Sequence, residues 1–293
     1  MKKSTSRVID VINRYKKNLI NLYSPNEIRH ILYLLFESFL GWSKTKVHLS
    51  YHDPLSDENE VMFEHSLGRL QSGEPIQYIL GEAWFNGARL KVDPRVLIPR
   101  PETEELCALI YIDFKDDASK NIEILDIGTG SGCIAIDLKR RFRGAKVNAL
   151  DFSTNALVVA KENAMALGCD IQFNVADILS KSDQQTLGKY DLIVSNPPYV
   201  TETERLSLPK NVCGFEPASA LFVPDHDPIV FYRTIAEFAM RHLKSCGKLY
   251  FEINEKFGDE IEATLVETGF AHVEVINDLS GKPRFIRAIS KSA

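Results

Sequence analysis

The chain has 293 residues, 44% of them hydrophobic, which is enough to bury one large core or two smaller ones, and its net charge is −5. Five cysteines with no Cys-x-x-Cys pair argue against a disulfide framework and against structural zinc, and no apolar stretch is long enough to span a membrane. The Met1-Lys2-Lys3 start carries no apolar signal core, so the expectation is a soluble cytoplasmic protein in a reducing compartment.

From Ile9 to Gly73 the pattern is helical. Ile9, Ile12, Leu19 and Leu22 recur at helical spacing, and a second apolar stretch runs from Ile28 to Leu40. Ser24-Pro25-Asn26-Glu27 reads as a capping box with proline at the first helical position. A third helix begins near Ser56 and ends at Gly73. Residues 1–46 hold nine Lys/Arg against three Asp/Glu, while the remainder holds 26 against 37. Such a basic helical segment suits a solvated face, an acidic partner or nucleic acid. The acidic remainder makes duplex DNA a poor substrate, because neutralising phosphates needs a basic surface.

Ala83 to Leu90 reads as a hairpin around the Asn86-Gly87 turn. The chain is therefore divided into a helical domain (1–80), a hairpin linker (81–101) and an α/β domain (102–293). Glu102, Glu104 and Glu105 fall in the first turn of a helix starting near Thr103, where acids either favour the helix dipole or serve as ligands. Ile122 to Ile127 reads as a strand, Gly128-Thr129-Gly130-Ser131-Gly132 as a loop, and Cys133 to Leu138 as a helix. Strand, glycine loop and helix make a nucleotide-binding turn, but Cys133 stands where a dinucleotide fingerprint has its last glycine, which argues against NAD or FAD. A second strand, Lys146 to Leu150, ends in Asp151, a carboxylate placed to hold both hydroxyls of a ribose. Ser153 caps the helix Ala156 to Leu167, which Gly168 closes. A third strand from Ile171 to Val175 leads to Asp177, where a carboxylate accepts from an adenine amine.

The apolar run Leu192-Ile193-Val194 stops at Asn196-Pro197-Pro198-Tyr199. Two prolines supply no N–H and hold the backbone extended, so this reads as a buried strand broken at its carboxyl end by a stiff loop. Asn196 Oδ1 and the Pro197 carbonyl aim at one point, and Tyr199 offers a flat face; the combination suits a planar NH2 group. The bland alternative is a proline turn with Tyr199 in the core. Further strands are expected at Gly247 to Ile253, Ala271 to Ile276 and Arg284 to Ile289, with a helix from near Glu255 to Thr268. The short connection through Ser280-Gly281 makes the last pair antiparallel. Asp225-His226-Asp227 is the one histidine cluster with metal-like spacing, and it reads as a solvated loop, so no metal is expected.

Four segments in this order, Leu97-Ile-Pro-Arg-Pro-Glu-Thr-Glu104, Asp191 to Tyr199, Glu216-Pro-Ala-Ser-Ala-Leu221 and Asp278 to Arg284, resemble the PrmC/HemK family of class I methyltransferases. The resemblance runs from about the first helix to Ile289. It implies a Rossmann-like, mostly parallel α/β sheet with an antiparallel last strand and a small helical domain at the front. It also implies methylation of the glutamine side-chain amide in the Gly-Gly-Gln loop of peptide chain release factors, with S-adenosylmethionine as cofactor and S-adenosylhomocysteine as product. Carried over by position, Gly128, Thr129, Gly130, Ser131, Gly132 and Asp151 bind the cofactor, Asp177 and Ile178 meet its adenine, and Asn196, Pro197, Pro198 and Tyr199 grip the glutamine. Asn196 touches both ligands. Family members often carry an aromatic where this chain has Ile178.

The reaction so implied is in-line displacement at the sulfonium methyl by an amide nitrogen whose lone pair is turned out by its two acceptors. It needs no catalytic histidine or carboxylate. The helical domain is expected to dock the release factor, with no membrane, no direct nucleic-acid substrate and a monomer as the default. Two other readings stay open at this point: a methyltransferase for an adenine or guanine amine in nucleic acid, and a scaffold that keeps the fold without catalysis.

Overall fold

The computed structural model describes residues 6–117, 121–185 and 187–291, so the Met1-Lys2-Lys3 start lies outside the described residues. The chain divides into two compact units, one holding the described residues up to Gly81 together with Pro209–Phe215, the other Glu82–Leu208 with Glu216–Ala293.

The first unit is helical. Helices Val8–Leu19, Pro25–Leu40 and Asp57–Gln71 supply its core, joined by shorter ones at Lys44–Leu49, Ile76–Leu80 and Lys210–Cys213. The reciprocal cap is present: Glu27 N–H donates to Ser24 Oγ at 3.3 Å and Ser24 N–H to Glu27 Oε2 at 2.8 Å, with Pro25 next. The first helix buries Val8, Val11, Ile12, Tyr15 and Leu19. Ile12 and Leu19 are thus buried as expected, whereas Ile9 is only partly buried and the helix stops at Leu19, leaving Leu22 outside it and 55% exposed. The Tyr15 hydroxyl crosses to the Phe63 carbonyl at 2.6 Å, so this buried phenol has its partner. Arg14 pairs with Glu60 and Glu64, while Lys16 and Lys17 lie exposed in the last helical turn.

The second unit begins with a hairpin, β1 (Glu82–Phe85) and β2 (Ala88–Lys91), in antiparallel register. Seven later strands form one sheet: β3 (Glu123–Ile127), β4 (Lys146–Asp151), β5 (Ile171–Val175), β6 (Tyr190–Ser195), and then β9 (Leu243–Glu252), β10 (His272–Asn277) and β11 (Pro283–Ile289), with a separate small pair β7 (Val200–Thr201) and β8 (Phe222–Val223). The order across the large sheet is β10-β11-β9-β6-β3-β4-β5. β9, β6, β3, β4 and β5 run parallel; β11 is antiparallel to β9 and to β10. The mostly parallel sheet with an antiparallel last strand is therefore as the sequence led one to expect.

Side chains alternate across each strand. Ile124, Leu192, Val194 and Tyr250 face one layer, packed with Leu106, Ile110, Ile134 and Leu138 from helices Pro101–Phe114 and Cys133–Arg141. Leu125, Ile127, Ile193, Leu249 and Phe251 face the other, against helices Val230–His242 and Gly258–Thr268. Burial on both faces explains why these strands read as unbroken apolar runs. The hairpin adds Phe85 and Leu90 to the first layer. Asn163, from helix Thr154–Ala166, joins hairpin to loop: its Nδ2 donates to the Lys91 and Ser131 carbonyls at 3.0 and 2.9 Å, and its Oδ1 accepts from Lys91 N–H at 2.7 Å.

After β3 the chain moves outward through β4 to β5, then returns to lay β6 on the opposite side of β3. Ligands of open α/β sheets bind at such a reversal, beyond the carboxyl ends of the strands.

Candidate active site

A cavity of about 340 Å³ opens at that reversal. Gly128 and Gly130 after β3, Asp151 and Phe152 after β4, Ala176 to Ile178 after β5, and Ser195 to Pro198 at the end of β6 line it. Pro94 to Leu97, Pro217, Ser219, Ala220, Phe231 and Ile235 are also part of the wall.

The loop after β3 is shaped by its glycines, which take φ of 73° at Gly128, 54° at Gly130 and 83° at Gly132. At Gly132 a side chain is also excluded by space, since a Cβ would come within 3.2 Å of Ala160 Cβ and Ile136 Cδ1. Thr129, Ser131 and Gly132 stand buried behind the two glycines that meet the cavity. Asp126, wholly buried, accepts from Thr129 Oγ1 at 2.6 Å and from Ala135 N–H at 3.2 Å through Oδ2, while its Oδ1 has no hydrogen-bond partner among the described residues. Burial pushes its carboxyl up to about 7, against the hydrogen bonds from Thr129 and Ala135.

Asp151, 6% exposed, accepts Gly130 N–H on Oδ2 and Ser153 N–H on Oδ1, both at 2.9 Å. Burial raises its pKa, and these two amides oppose the rise. Asp177 is exposed and Ile178 buried, both on the cavity wall. The aromatic absent at Ile178 has a counterpart the sequence reading passed over: Phe152, directly after Asp151, lines the cavity and is 56% exposed.

Ser195 ends β6 with its hydroxyl on the Ile127 carbonyl at 2.8 Å, and Ser195 pairs with Phe251 of β9. One residue further along, Asn196 and Glu252 are therefore neighbours. Asn196 Nδ2 donates to Thr103 Oγ1 at 3.2 Å; Thr103 Oγ1 donates to Glu252 Oε2 at 2.6 Å; the Tyr199 hydroxyl donates to Glu252 Oε1 at 3.2 Å. Glu252 is 1% exposed and burial raises its pKa, offset by Thr103, Tyr199 and the charge of Arg284. Asn196, Pro197 and Pro198 line the cavity, whereas Tyr199 packs its ring on the second core layer beside it.

The remaining motif residues support this wall. Glu216 accepts Ile98 N–H at 3.2 Å and pairs with Arg100 at 2.5 Å, fixing the segment that follows Pro94 to Leu97. Asp278 takes Ser280 and Lys282 N–H at 2.9 and 3.0 Å and faces Arg284 at 3.5 Å, closing the turn into β11. Glu104 and Glu105 accept the N–H of Asn86 and Leu279 at 2.7 and 3.0 Å, so these first-turn acids serve the chain itself. Asp225 accepts from Thr203, and Asp227 pairs with Arg233. Thr103 and Glu252, which hydrogen-bond Asn196 and Tyr199, were missed. The signal for Glu252 was an acid breaking the apolar run Leu249 to Ile253 at a strand's carboxyl end.

Residues 10–81 match the family model described as PrmC N-terminal domain, and residues 108–211 that described as Methyltransferase small domain. The release factor glutamine methyltransferase of Bacteroides thetaiotaomicron is 43% identical over 273 residues, 93% of this chain and 96% of that one. The protein of the same name from Flavobacterium psychrophilum is 40% identical over 275 residues, 94% and 96% of the two chains. A solved methyltransferase from Pyrococcus furiosus is similar with a TM-score of 0.52 at 18% identity, covering 78% of this chain and 99% of that one. A 16S rRNA N2 G1207 methyltransferase from T. thermophilus, solved with AdoMet and guanosine, gives 0.51 at 16% identity over 72% and 50%. At these identities the last two speak for the fold alone.

Proposed function

The chain belongs to the family of release factor glutamine methyltransferases, with the class I methyltransferase fold, and on that premise we propose that it methylates the side-chain amide nitrogen of the Gly-Gly-Gln glutamine in peptide chain release factors. The observation that carries this reading is the meeting of Asn196 and Pro197 with Gly128, Gly130 and Asp151 on one cavity. Two positive-φ glycines that let the backbone approach a ligand, and a buried acid at the end of β4 on the same cavity, fit S-adenosylmethionine, whose ribose hydroxyls need a carboxylate acceptor.

When bound, S-adenosylmethionine supplies an electrophilic methyl group on sulfur and leaves as S-adenosylhomocysteine. Asp151 holds the ribose hydroxyls by charge-assisted hydrogen bonds. Thr129, Ser131 and Gly132 set the path of the loop, and Asp177, Ile178 and Phe152 bound the adenine. Asn196 Oδ1 and the Pro197 carbonyl accept the two N–H of the substrate amide, which turns the nitrogen lone pair toward the methyl group. Pro198 and Tyr199 keep the loop extended and the amide in its slot. No side chain acts as a base, because the methylated amide is acidic enough to give its proton to water. The helical unit docks the release factor, the hairpin expected as a linker belongs with the catalytic unit, and the enzyme works as a cytoplasmic monomer without nucleic acid as substrate.

The test is transfer of labelled methyl to a purified release factor, beside a copy with that glutamine replaced, beside DNA and beside RNA. Label on the intact factor alone supports the reading. Label on nucleic acid, or cofactor binding with no transfer, moves the assignment to a nucleic-acid amine methyltransferase or to a non-catalytic scaffold respectively.

A further inference from the structure

We propose that Glu252, acting through Thr103, is a positioning residue that decides which end of the Asn196 amide faces the substrate. This rests on the reading above, in which Asn196 Oδ1 accepts a hydrogen from the substrate NH2.

A carboxamide presents an acceptor at one end and a donor at the other, and rotation by half a turn exchanges them at little intrinsic cost. An enzyme that needs the oxygen at one end must therefore spoil the other orientation. Glu252 does so from inside the protein. It ends β9 on the face of Tyr250, packed under helix Pro101–Phe114. Its carboxylate takes the Thr103 hydroxyl on Oε2 at 2.6 Å and the Tyr199 hydroxyl on Oε1 at 3.2 Å.

A hydroxyl has one proton. With that proton committed to Glu252, Thr103 Oγ1 shows Asn196 only lone pairs. An N–H of Asn196 satisfies them, and Nδ2 lies at 3.2 Å. The flipped amide would set Oδ1 against that oxygen with no proton between them, in a place where burial makes an unpaired acceptor costly. The polarity of the chain Glu252, Thr103, Asn196 runs one way, so Oδ1 is left at the end away from Thr103. The same carboxylate sets the direction of the Tyr199 hydroxyl.

The test separates this role from mere support. Thr103→Val keeps the shape of the side chain and removes the hydroxyl, Thr103→Ser restores the hydroxyl, and Glu252→Met gives the Thr103 proton back its freedom. Each is assayed for kcat on a purified release factor, for melting temperature and for S-adenosylmethionine affinity, both alone and combined with Asn196→Ala. In the otherwise wild-type chain, Thr103→Val and Glu252→Met are expected to lower kcat by about tenfold or more, the effect of losing one oriented polar group. Cofactor affinity stays near wild type for Thr103→Val while its melting temperature falls, because the buried Glu252 Oε2 loses its partner, and Thr103→Ser restores the melting temperature and recovers the rate to within about threefold. In the Asn196→Ala chain neither Thr103→Val nor Glu252→Met lowers kcat further, because the group they orient is gone. Equal fractional losses in both backgrounds, or a Thr103→Val enzyme with wild-type kcat, overturn the inference. A wild-type protein that methylates no release factor overturns the parent reading and this inference with it.

Discussion

Gly130 N–H donates to Asp151 Oδ2 at 2.9 Å, tying the loop after β3 to the acid that ends β4. One carboxylate thus holds the glycine loop in place while its remaining lone pairs face the cavity. Asp151→Ala is expected to weaken S-adenosylmethionine binding by about 2–3 kcal/mol, ~30- to 150-fold in Kd, because charge-assisted hydrogen bonds to the ribose and the loop anchor go together. Titration calorimetry measures this. An unchanged Kd would remove Asp151 from the cofactor site.

At Asn196 the loss falls on the chemical step. Asn196→Ala is expected to reduce kcat by about 10²–10³, ~2.7–4 kcal/mol of transition-state stabilisation, by analogy with deleting one preorganised donor or acceptor. Single-turnover methyl transfer at saturating cofactor reads it directly. Near-wild-type kcat would show that Asn196 does not hold the reacting amide.

The glycines of the loop separate two costs. Gly132 has both a positive φ of 83° and no room, whereas Gly128 has a φ of 73° and nothing within 4 Å of the position a Cβ would take. Gly128→Ala should cost only the left-handed backbone, about 1–2 kcal/mol. Gly132→Ala adds displacement of Ala160 and Ile136 and should cost about 2–4 kcal/mol in total. Urea denaturation of the two variants tests the order; equal losses would contradict it.

Asp126 gives the protein without cofactor a pH dependence of definite sign. Its carboxyl rises from 3.8 to about 7 on folding, chiefly through burial. The folded state then binds the proton more tightly than the unfolded state, so stability falls as pH rises between those values. At 1.36 kcal/mol per unit the loss is on the order of 4 kcal/mol at pH 8 relative to pH 3.8. Asp126→Asn should flatten the decline of melting temperature between pH 5 and pH 8, about one unit above the raised value. Parallel profiles for the two proteins would assign the decline elsewhere.

The sheet was legible because its central strands are buried on both faces and so read as plain apolar runs, as at Leu192 to Val194. Gly128 to Gly132, Asp151 and Asn196 were legible because their chemistry is carried by residue type at a strand's end. Glu252 and Thr103 were not, since a buried acid acting through a hydroxyl is visible only once β6 and β9 are in register and helix Pro101–Phe114 is laid over them. Of the first-helix stripe, Ile12 and Leu19 are buried and Ile9 and Leu22 are not; the helix end at Leu19, which excludes Leu22, carries no strong sequence signal. Phe152 escaped notice because an aromatic after an acid has no distinctive pattern until the cavity wall is formed.

The central claim is that the acceptor is one glutamine amide on a release factor. Fragment mass spectrometry of a purified release factor, incubated with the wild-type protein and S-adenosylmethionine, tests it most directly. The account predicts a single added methyl group on the side chain of the Gly-Gly-Gln glutamine, absent when Asn196→Ala replaces the wild type over the same time. A methyl group on any other residue, or none on the factor while RNA or DNA in the same reaction gains one, would contradict it.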